Sequence, residues 1–457
     1  MASVATFIRY WRGRWGDFSS NARQLLALQA ISAFFGSAYG VIFNLFLMQS
    51  GYGEASIGKF LSAAGLALAI TVVPCGILTD KWGHRRSFLI AAIIGSTCAL
   101  FRIFAPNAEM IFVFFLIGGA AGGLAAVAGA PFLMENSRAK ERTDLFSANF
   151  AIMLGSGVLG NFAGGGFPDL LQSLFSYDLR TSYTITLTVA SLGMFLGLIP
   201  ILRMRRQNDH VIPEQEVEEP APDGENAEVH AIKPVEGKGW NIIIKFVITS
   251  ALIGAGAGLV IPFFNLYFSK RFLLPSSEIG VLFAVAQICT ALASLLGPAL
   301  ARKLGKVNTV VIMQLASLPF LVTLGFETQA LWLASVAFFA RATFMQASTP
   351  LTGSLQMELI PAGRRAFANS LNSLSWNLAW AGTTALSGEL MERINYAIPY
   401  YITAGFYLVS TVLFYIFFWR VEGITLSHSM GEGLGKGIKV MIAVPRRLFT
   451  LFTNQEK

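Results

Sequence analysis

The stretch GILTDKWGHRR, from Gly76 to Arg86, lies between two long apolar runs and breaks them with one carboxylate, two glycines and a basic cluster. In a bilayer this pattern is a tight turn, held at the water boundary by positive charge. Gly83 supplies the permissive backbone of the reversal, and Gly76 lets a neighbouring helix come close. Asp80 falls at the C-terminal end of its own helix, the wrong end for an anion, so its partner is expected elsewhere. Lys81, Arg85 and Arg86 complete the cluster.

Outward from this turn the chain is overwhelmingly apolar. With 457 residues, 54% of them hydrophobic and only 13% charged, and a mean hydropathy of +0.58, it exceeds what a soluble core can hide. An integral membrane protein is expected. The net charge of +8 does not point to nucleic acid, because the basic residues fall in short clusters between apolar runs. Cys75, Cys98 and Cys289 sit in apolar segments without paired or metal-ligand spacing, so neither a disulfide framework nor a metal or other cofactor is expected. His84, His210, His230 and His428 lie outside the spans, and no catalytic constellation falls inside one, so an enzyme is not expected. The basic, aromatic N-terminal stretch ATFIRYWRGRWGDF lacks the apolar core of a removable signal and reads as an interfacial lead-in.

Runs of about 20 residues, the length a helix needs to cross hydrocarbon, begin near Leu25, Ile57, Ser87, Met110, Leu145 and Tyr183. A second set begins near Ile242, Ile279, Thr309, Leu331, Phe367 and Ile398. The expected organisation is an interfacial N-terminus at 1–22, a six-helix bundle at 23–202, a linker at 203–239, a second bundle at 240–420 and a tail at 421–457. The linker is acidic, contains proline and reads as a flexible solvated connector. Lysine and arginine concentrate at alternate turns, before helix 1 and after helices 2, 4, 6, 8, 10 and 12, which predicts both termini and the linker on the cytoplasmic side.

The two sets resemble each other. Asn44 in Ile42-Phe43-Asn44-Leu45-Phe46 returns 221 positions later as Asn265, Ser56-Ile57-Gly58 returns at 222 as Glu278-Ile279-Gly280, and Met134-Glu135 with Arg142 returns at 223 as Met357-Glu358 with Arg365. Three markers in one order at nearly one spacing indicate a duplicated six-helix unit, whose two copies run parallel because the helix number is even.

The order G-x-L-x-D-K-x-G-x-R-R at Gly76, Leu78, Asp80, Lys81, Gly83, Arg85 and Arg86 resembles the loop between helices 2 and 3 of the major facilitator superfamily. The resemblance extends over the chain apart from linker and tails. It implies an all-α membrane protein of twelve helices in two pseudo-symmetric bundles, working as a secondary transporter of small organic solutes by alternating access. It also implies that Asp80 is a conformational latch of the outward-open state; on the residues alone, a salt bridge to Arg85 or Arg86 is the alternative. The second copy has Arg302 where Asp80 would fall, which leaves the latch one-sided. Glu135 with Arg142 and Glu358 with Arg365 are read as charge pairs at the inner turns, in a relay with the Asp80 loop. Gly160, Gly164 and Gly165 resemble part of the drug and proton antiporter signature, with Asn161 in place of its proline; tight helix packing explains them equally.

Arg341 falls half way along helix 10, where a charge is costly and marks function or an internal bond. It is expected either to hold an anionic group of the substrate or to bond to amides such as Gln346 or Asn372. Asn44, Gln287, Asn372 and Trp376 are the other substrate-binding candidates, as parts of a pocket of amides and aromatics suited to an amphipathic molecule. Gln29, Gln314, Gln346, Asn369 and Asn377 are amides read mainly as helix ties, and Trp380 adds aromatic surface beside Trp376. No carboxylate falls deep in a span: Glu54, Glu109, Asp169, Glu389 and Glu392 belong to the outer boundary and Asp80, Glu135, Asp144 and Glu358 to the inner one. Proton coupling is therefore an open expectation. Efflux of a drug-like or amphipathic compound is the leading reading, uptake or facilitated diffusion of an anionic metabolite the next, and a non-transporting receptor or lipid-translocating member the third. A monomer in the inner membrane of a bacterium is expected, with the solute and the lipid bilayer as its partners.

Overall fold

The computed structural model describes residues 15–16, 18–205, 239–326 and 330–421. Most of the expected linker and tail, and most of the N-terminal segment, lie outside these residues. The first six long helices are α1 (Ser20–Gln49), α2 (Glu54–Trp82), α3 (His84–Phe104), α4 (Ala108–Glu135), α5 (Ala139–Phe175) and α6 (Leu179–Arg203). The next six are α7 (Trp240–Phe272), α8 (Ser276–Leu304), α9 (Lys306–Gly325), α10 (Leu331–Leu359), α11 (Arg365–Arg393) and α12 (Ala397–Phe418). No strand occurs among the described residues. Ten of these helices are long and apolar enough to cross a membrane. The exceptions are α10, which carries Arg341, Gln346 and Gln356, and α11, which carries Asn369, Asn372 and Asn377. Both match the others in length, so polarity, not size, sets them apart.

Helix ends are fixed by local chemistry. Ser19, Asn107 and Asp178 accept hydrogen bonds from the backbone N–H groups of Ala22, Met110 and Thr181 at 3.1, 2.9 and 3.1 Å, so each satisfies a donor that a helix start leaves orphaned. The quoted stretch is the α2–α3 reversal, with Gly83 at φ +82°, a conformation that side chains disfavour. Gly305 turns α8 into α9 at the same φ of +82°, 222 residues later.

In the first half α1 packs on α5 and α6, α2 on α4, and α3 on α4 and α6. In the second, α7 packs on α11 and α12, α8 on α10, and α9 on α10 and α12. Between the halves α2 lies along α11 and α8 along α5, pairings that exchange under the same pseudo-twofold. The duplication read from three short markers is thus repeated in the helix neighbours. The chain is an all-α membrane protein with twelve helices in two pseudo-symmetric six-helix bundles.

Pro262 breaks α7 into helix, a 3-10 turn at Ile261–Phe263 and a further helix. The carbonyls left at the break are taken up by α11: Thr384 Oγ1 donates to Gly258 O at 3.0 Å, and Ser387 Oγ to Leu259 O. A broken helix inside a bundle is tolerated where a neighbour's hydroxyls satisfy its backbone in this way.

Candidate functional site

The contacts between the halves gather toward one end of the bundle, where α1 finishes and α2 begins. This distal end is opposite the α2–α3 turn and the α6–α7 connection. Glycines set the approach there. A Cβ on Gly58 of α2 would meet the Thr384 and Gly388 backbone of α11, and one on Gly165 of α5 would meet Ser276 and Gly280 of α8. Side chains then tie the seam. Glu54, at the N-terminus of α2, accepts from Lys270 Nζ and Tyr396 Oη, each at 2.5 Å. Tyr396 lies between α11 and α12, and its burial together with the Glu54 carboxylate holds its hydroxyl well above the usual tyrosine range, so it remains a donor. Lys59 meets Glu389 at 3.0 Å, and Glu389 meets Arg393 at 2.7 Å.

The seam repeats its own logic on both sides. Glu392 of α11 accepts from Ala55 N at the start of α2 at 2.7 Å, and Asp169 of α5 accepts from Ser277 N at the start of α8 at 3.1 Å. Each carboxylate sits at the positive end of a helix from the opposite half, where an anion is worth about 0.3–1 kcal/mol. Asp169 also accepts from Ser276 Oγ at 3.0 Å. Nearer the middle, Asn161 donates to Gln287 Oε1 at 2.8 Å, and Gln287 donates to Leu154 O at 3.2 Å. Along α2–α11 the matching level is Gly65 against Ala381 and Trp380.

Below these levels the two halves share no hydrogen bond or ion pair among the described residues.

Several sequence candidates find different partners from those expected. Asn44 is 5% exposed and donates to Pro262 O at 2.7 Å and Asn265 Oδ1 at 3.1 Å, while Asn265 donates to Val41 O at 3.0 Å. Its amide fastens α1 to α7 at the seam. Gln287 is likewise committed to α5. Asn372 donates to Gln356 Oε1 at 3.3 Å, and its own Oδ1 is buried without a partner. Trp376 stacks on Trp380 with centroids 4.9 Å apart, and its backbone fills the space beside Gly254 of α7. Gly160 and Gly164 face the α1 backbone at Phe34 and Ala38, whereas Gly165 faces α8.

At the linker end Asp80 is exposed and makes no ion pair among the described residues. The alternative salt bridge to Arg85 is not formed, because Arg85 donates to Ile201 O at 3.1 Å and Leu202 O at 2.8 Å at the end of α6. Lys81 and Arg86 are exposed, and Gly76 has only Val127 of α4 near it. The expected pairing of Glu135 with Arg142 and Glu358 with Arg365 is corrected. Glu135 bonds His84 Nε2 at 3.1 Å, and Glu358 bonds Lys306 Nζ. Arg142 donates to Ser137 Oγ at 3.5 Å and Arg365 to Ile360 O at 3.0 Å. Both arginines reach back across the turn that starts their helix, which leaves the carboxylates to the residue following Gly83 or Gly305.

Arg341 is 5% exposed and donates to Tyr407 Oη of α12 at 2.7 Å, with its guanidinium 5.6 Å above the Phe264 ring. Neither Gln346 nor Asn372 is its partner. At the equivalent place in the first half stands Gly118, and Arg102 of α3 fills the space. A Cβ on Gly118 would collide with the Arg102 guanidinium, which donates to Phe114 O at 3.0 Å and lies 4.0 Å above Phe115. Phe43 against Phe115 and Phe264 against Phe338 are the matching ring pairs, 5.7 and 4.7 Å apart. Arg102 was not singled out from the sequence, because its position in the last turn of α3 suits an interfacial arginine. The seam pairs of Glu54 and Asp169 were also missed; only the clustering of acids at one boundary hinted at them.

A family model for the major facilitator superfamily matches residues 25–254 and 246–453. The chain belongs to the major facilitator superfamily. It is 24% identical over 310 residues to an uncharacterized membrane protein of Saccharomyces cerevisiae, covering 61% of this chain and 68% of that one. It is 26% identical over 174 residues to the uncharacterized MFS-type transporter YfkF of Bacillus subtilis, covering 36% and 41%. Against the galactose-proton symporter of Escherichia coli K12 the identity is 29% over 117 residues, 26% and 24% of the two chains. Two of these three matches thus span less than half of the relative. Among solved structures the nucleoside transporter NupG matches with a TM-score of 0.64 at 17% identity, covering 87% of this chain and 99% of that one. A bacterial homologue of the iron transporter ferroportin, described as inward-facing, matches with a TM-score of 0.61 at 15% identity, covering 86% and 97%. These structures share its fold. The protein is a multi-pass membrane transporter of the superfamily type.

Proposed function

We propose that the protein is a secondary transporter that moves a small organic solute by rocking its two bundles, 23–202 and 240–420, about the seam. One observation carries this reading: all described bonds between halves lie on the distal side of Leu154, Gln287, Gly65 and Ala381. Bonds gathered at the far end support one limit of an alternating-access cycle, with the halves held together on one side. The linker end is taken to face the cytoplasm on the distribution of lysine and arginine, so this is the inward-open state. In that state an unpaired Asp80 is expected, because the latch it forms belongs to the outward-open state.

The solute we favour is uncharged or amphipathic. Arg341 is engaged by Tyr407 and Phe264 inside its own bundle, and Arg102 plays the matching part in the other, which supports a packing role for both. An anionic metabolite is the second reading, favoured by the Arg341 Nε, which is buried without a partner. The glycines of α5 have packing partners on α1 and α8, a reason for their presence that is indifferent to the direction of transport.

Proteoliposomes loaded with candidate solutes, with and without a pH gradient, test the proposal. Solute-dependent flux is expected. Tight solute binding without any flux would make the protein a receptor and overturn it.

A further inference from the structure

The frame shared by the two halves is hollow in the first. A cavity of about 380 Å³ opens among α1, α3, α4 and α6, within the range of small-molecule sites. These helices pack in the order α1, α6, α3, α4, so the cavity is walled on three sides. On its fourth side, between α4 and α1, Ser32 and Ala126 are exposed.

The repeat shows what is missing. At the spacing of 222 residues set by Gly83 and Gly305, Ala92 and Gly95 correspond to Gln314 and Ser317. Tyr183 and Thr186 of α6 match Tyr400 and Thr403 of α12, which places Met194 opposite Thr411. In the second half Gln314 is 6% exposed, accepts from Thr411 Oγ1 at 2.9 Å, and fills this place. In the first half Ala92 and Met194 cannot make that bond, and Gly95 has open space where a Cβ would stand.

The hollow is not merely apolar. A serine in a spanning helix ordinarily donates to a carbonyl three or four residues back, as Ser87, Ser191 and Ser375 do. Ser32 and Ser96 line the cavity and make no such bond, and the Gln29 amide beside them also has no partner among the described residues. Three polar groups thus converge on a hydrophobic chamber with no charged side chain in its wall.

We propose that this pocket of the first bundle binds an uncharged amphipathic molecule, its apolar end against Phe88 and Met194 and its hydroxyl or amide on Gln29, Ser32 and Ser96. The proposal rests on the transport reading for the role of the bound molecule, whereas binding itself is independent of flux. Charged solutes are disfavoured, because nothing in the wall compensates their desolvation.

The test uses the full chain in lipid nanodiscs, photolabelled with a diazirine-bearing octanol and mapped by mass spectrometry. Saturable labelling of α1, α3 or α6 at the cavity wall, competed by unlabelled octanol, is expected. Ala92→Gln with Gly95→Ser gives the first half the residues of the second and should weaken that labelling at least about tenfold. Gln29→Leu leaves the volume nearly unchanged; it should weaken the alcohol about fivefold and leave a diazirine-bearing octane unaffected. Thermal unfolding of each variant confirms that it is folded. Labelling that does not saturate, or that survives the filling substitutions unaltered, would overturn the proposal. So would a co-purifying phospholipid that labels the wall and resists octanol. Saturable labelling without flux of any solute would defeat the transport reading and leave the pocket standing; flux with unsaturable labelling would do the reverse.

Discussion

The two halves share a scaffold and differ in what fills it. Their turns are nearly superimposable in chemistry: Gly83 and Gly305 have the same φ, and His84–Glu135 answers Lys306–Glu358. Their latches also match, Glu392 on the start of α2 and Asp169 on the start of α8. The interiors do not. The second half holds Arg341 on Tyr407 and Gln314 on Thr411, whereas the first borrows Arg102 for one place and leaves the other open. The residues that shape the backbone turns and these two seam contacts are alike in both halves. The side chains packed inside each bundle differ between them.

The most severe way to break this comparison is to wedge the seam. Gly280→Leu would drive a side chain into Asn161 O and Gly165, which costs the distally closed state about 3 kcal/mol or more. That is a shift of about a hundredfold in population, read as lengthened spin-label distances at the distal end. Next is the arginine of the second bundle. Arg341→Ala should lower stability by about 3 kcal/mol, because it leaves the Tyr407 hydroxyl buried without its partner. Arg102→Ala, in the first bundle, should cost about 1–2 kcal/mol in the same thermal unfolding measurement: the Phe114 carbonyl, the Phe115 ring and the Tyr39 hydroxyl lose the guanidinium, but Tyr39 keeps its own bond to Ala99 O. Equal losses would contradict the asymmetry, and an Arg341 variant of unchanged stability would favour the anionic-solute reading. Asn44→Ala removes one amide of the central tie and should shift the gate equilibrium by about 1–2 kcal/mol. The smallest effect is expected for Asp80→Asn. The residue is exposed and unpaired here, so thermal stability should move by no more than about 0.5 kcal/mol, while the outward-open population falls.

Much of the fold could be read in the chain because it depends on local signals. Apolar length marks the spans, Gly83 marks the reversal, and the recurrence of Asn44 as Asn265 marks the duplication. The two polar helices, α10 and α11, were read among the apolar runs near Leu331 and Phe367, although they are the two that fall short of the others in apolar character. The site was less legible. Glu54 and Lys270 are 216 residues apart and come together only when the halves dock, and no spacing within one helix signals such a pair. Arg102 replaces its counterpart from a different helix, so the repeat, which compares like with like, showed only Gly118. Arg142 and Arg365 stood near the right carboxylates in sequence, yet the turn geometry gave their nitrogens nearer acceptors.

The central claim is that the halves rock about the distal and middle contacts as two bodies. Double electron-electron resonance in lipid nanodiscs tests it most directly, with one label pair at exposed Trp82 and Phe367 on the linker end and another at exposed Ser173 and Leu273 on the distal end. With Gly280→Leu, the distal distance should lengthen while the linker-end distance shortens. Distances that lengthen together, or a distal change with no answer at the linker end, would contradict the account.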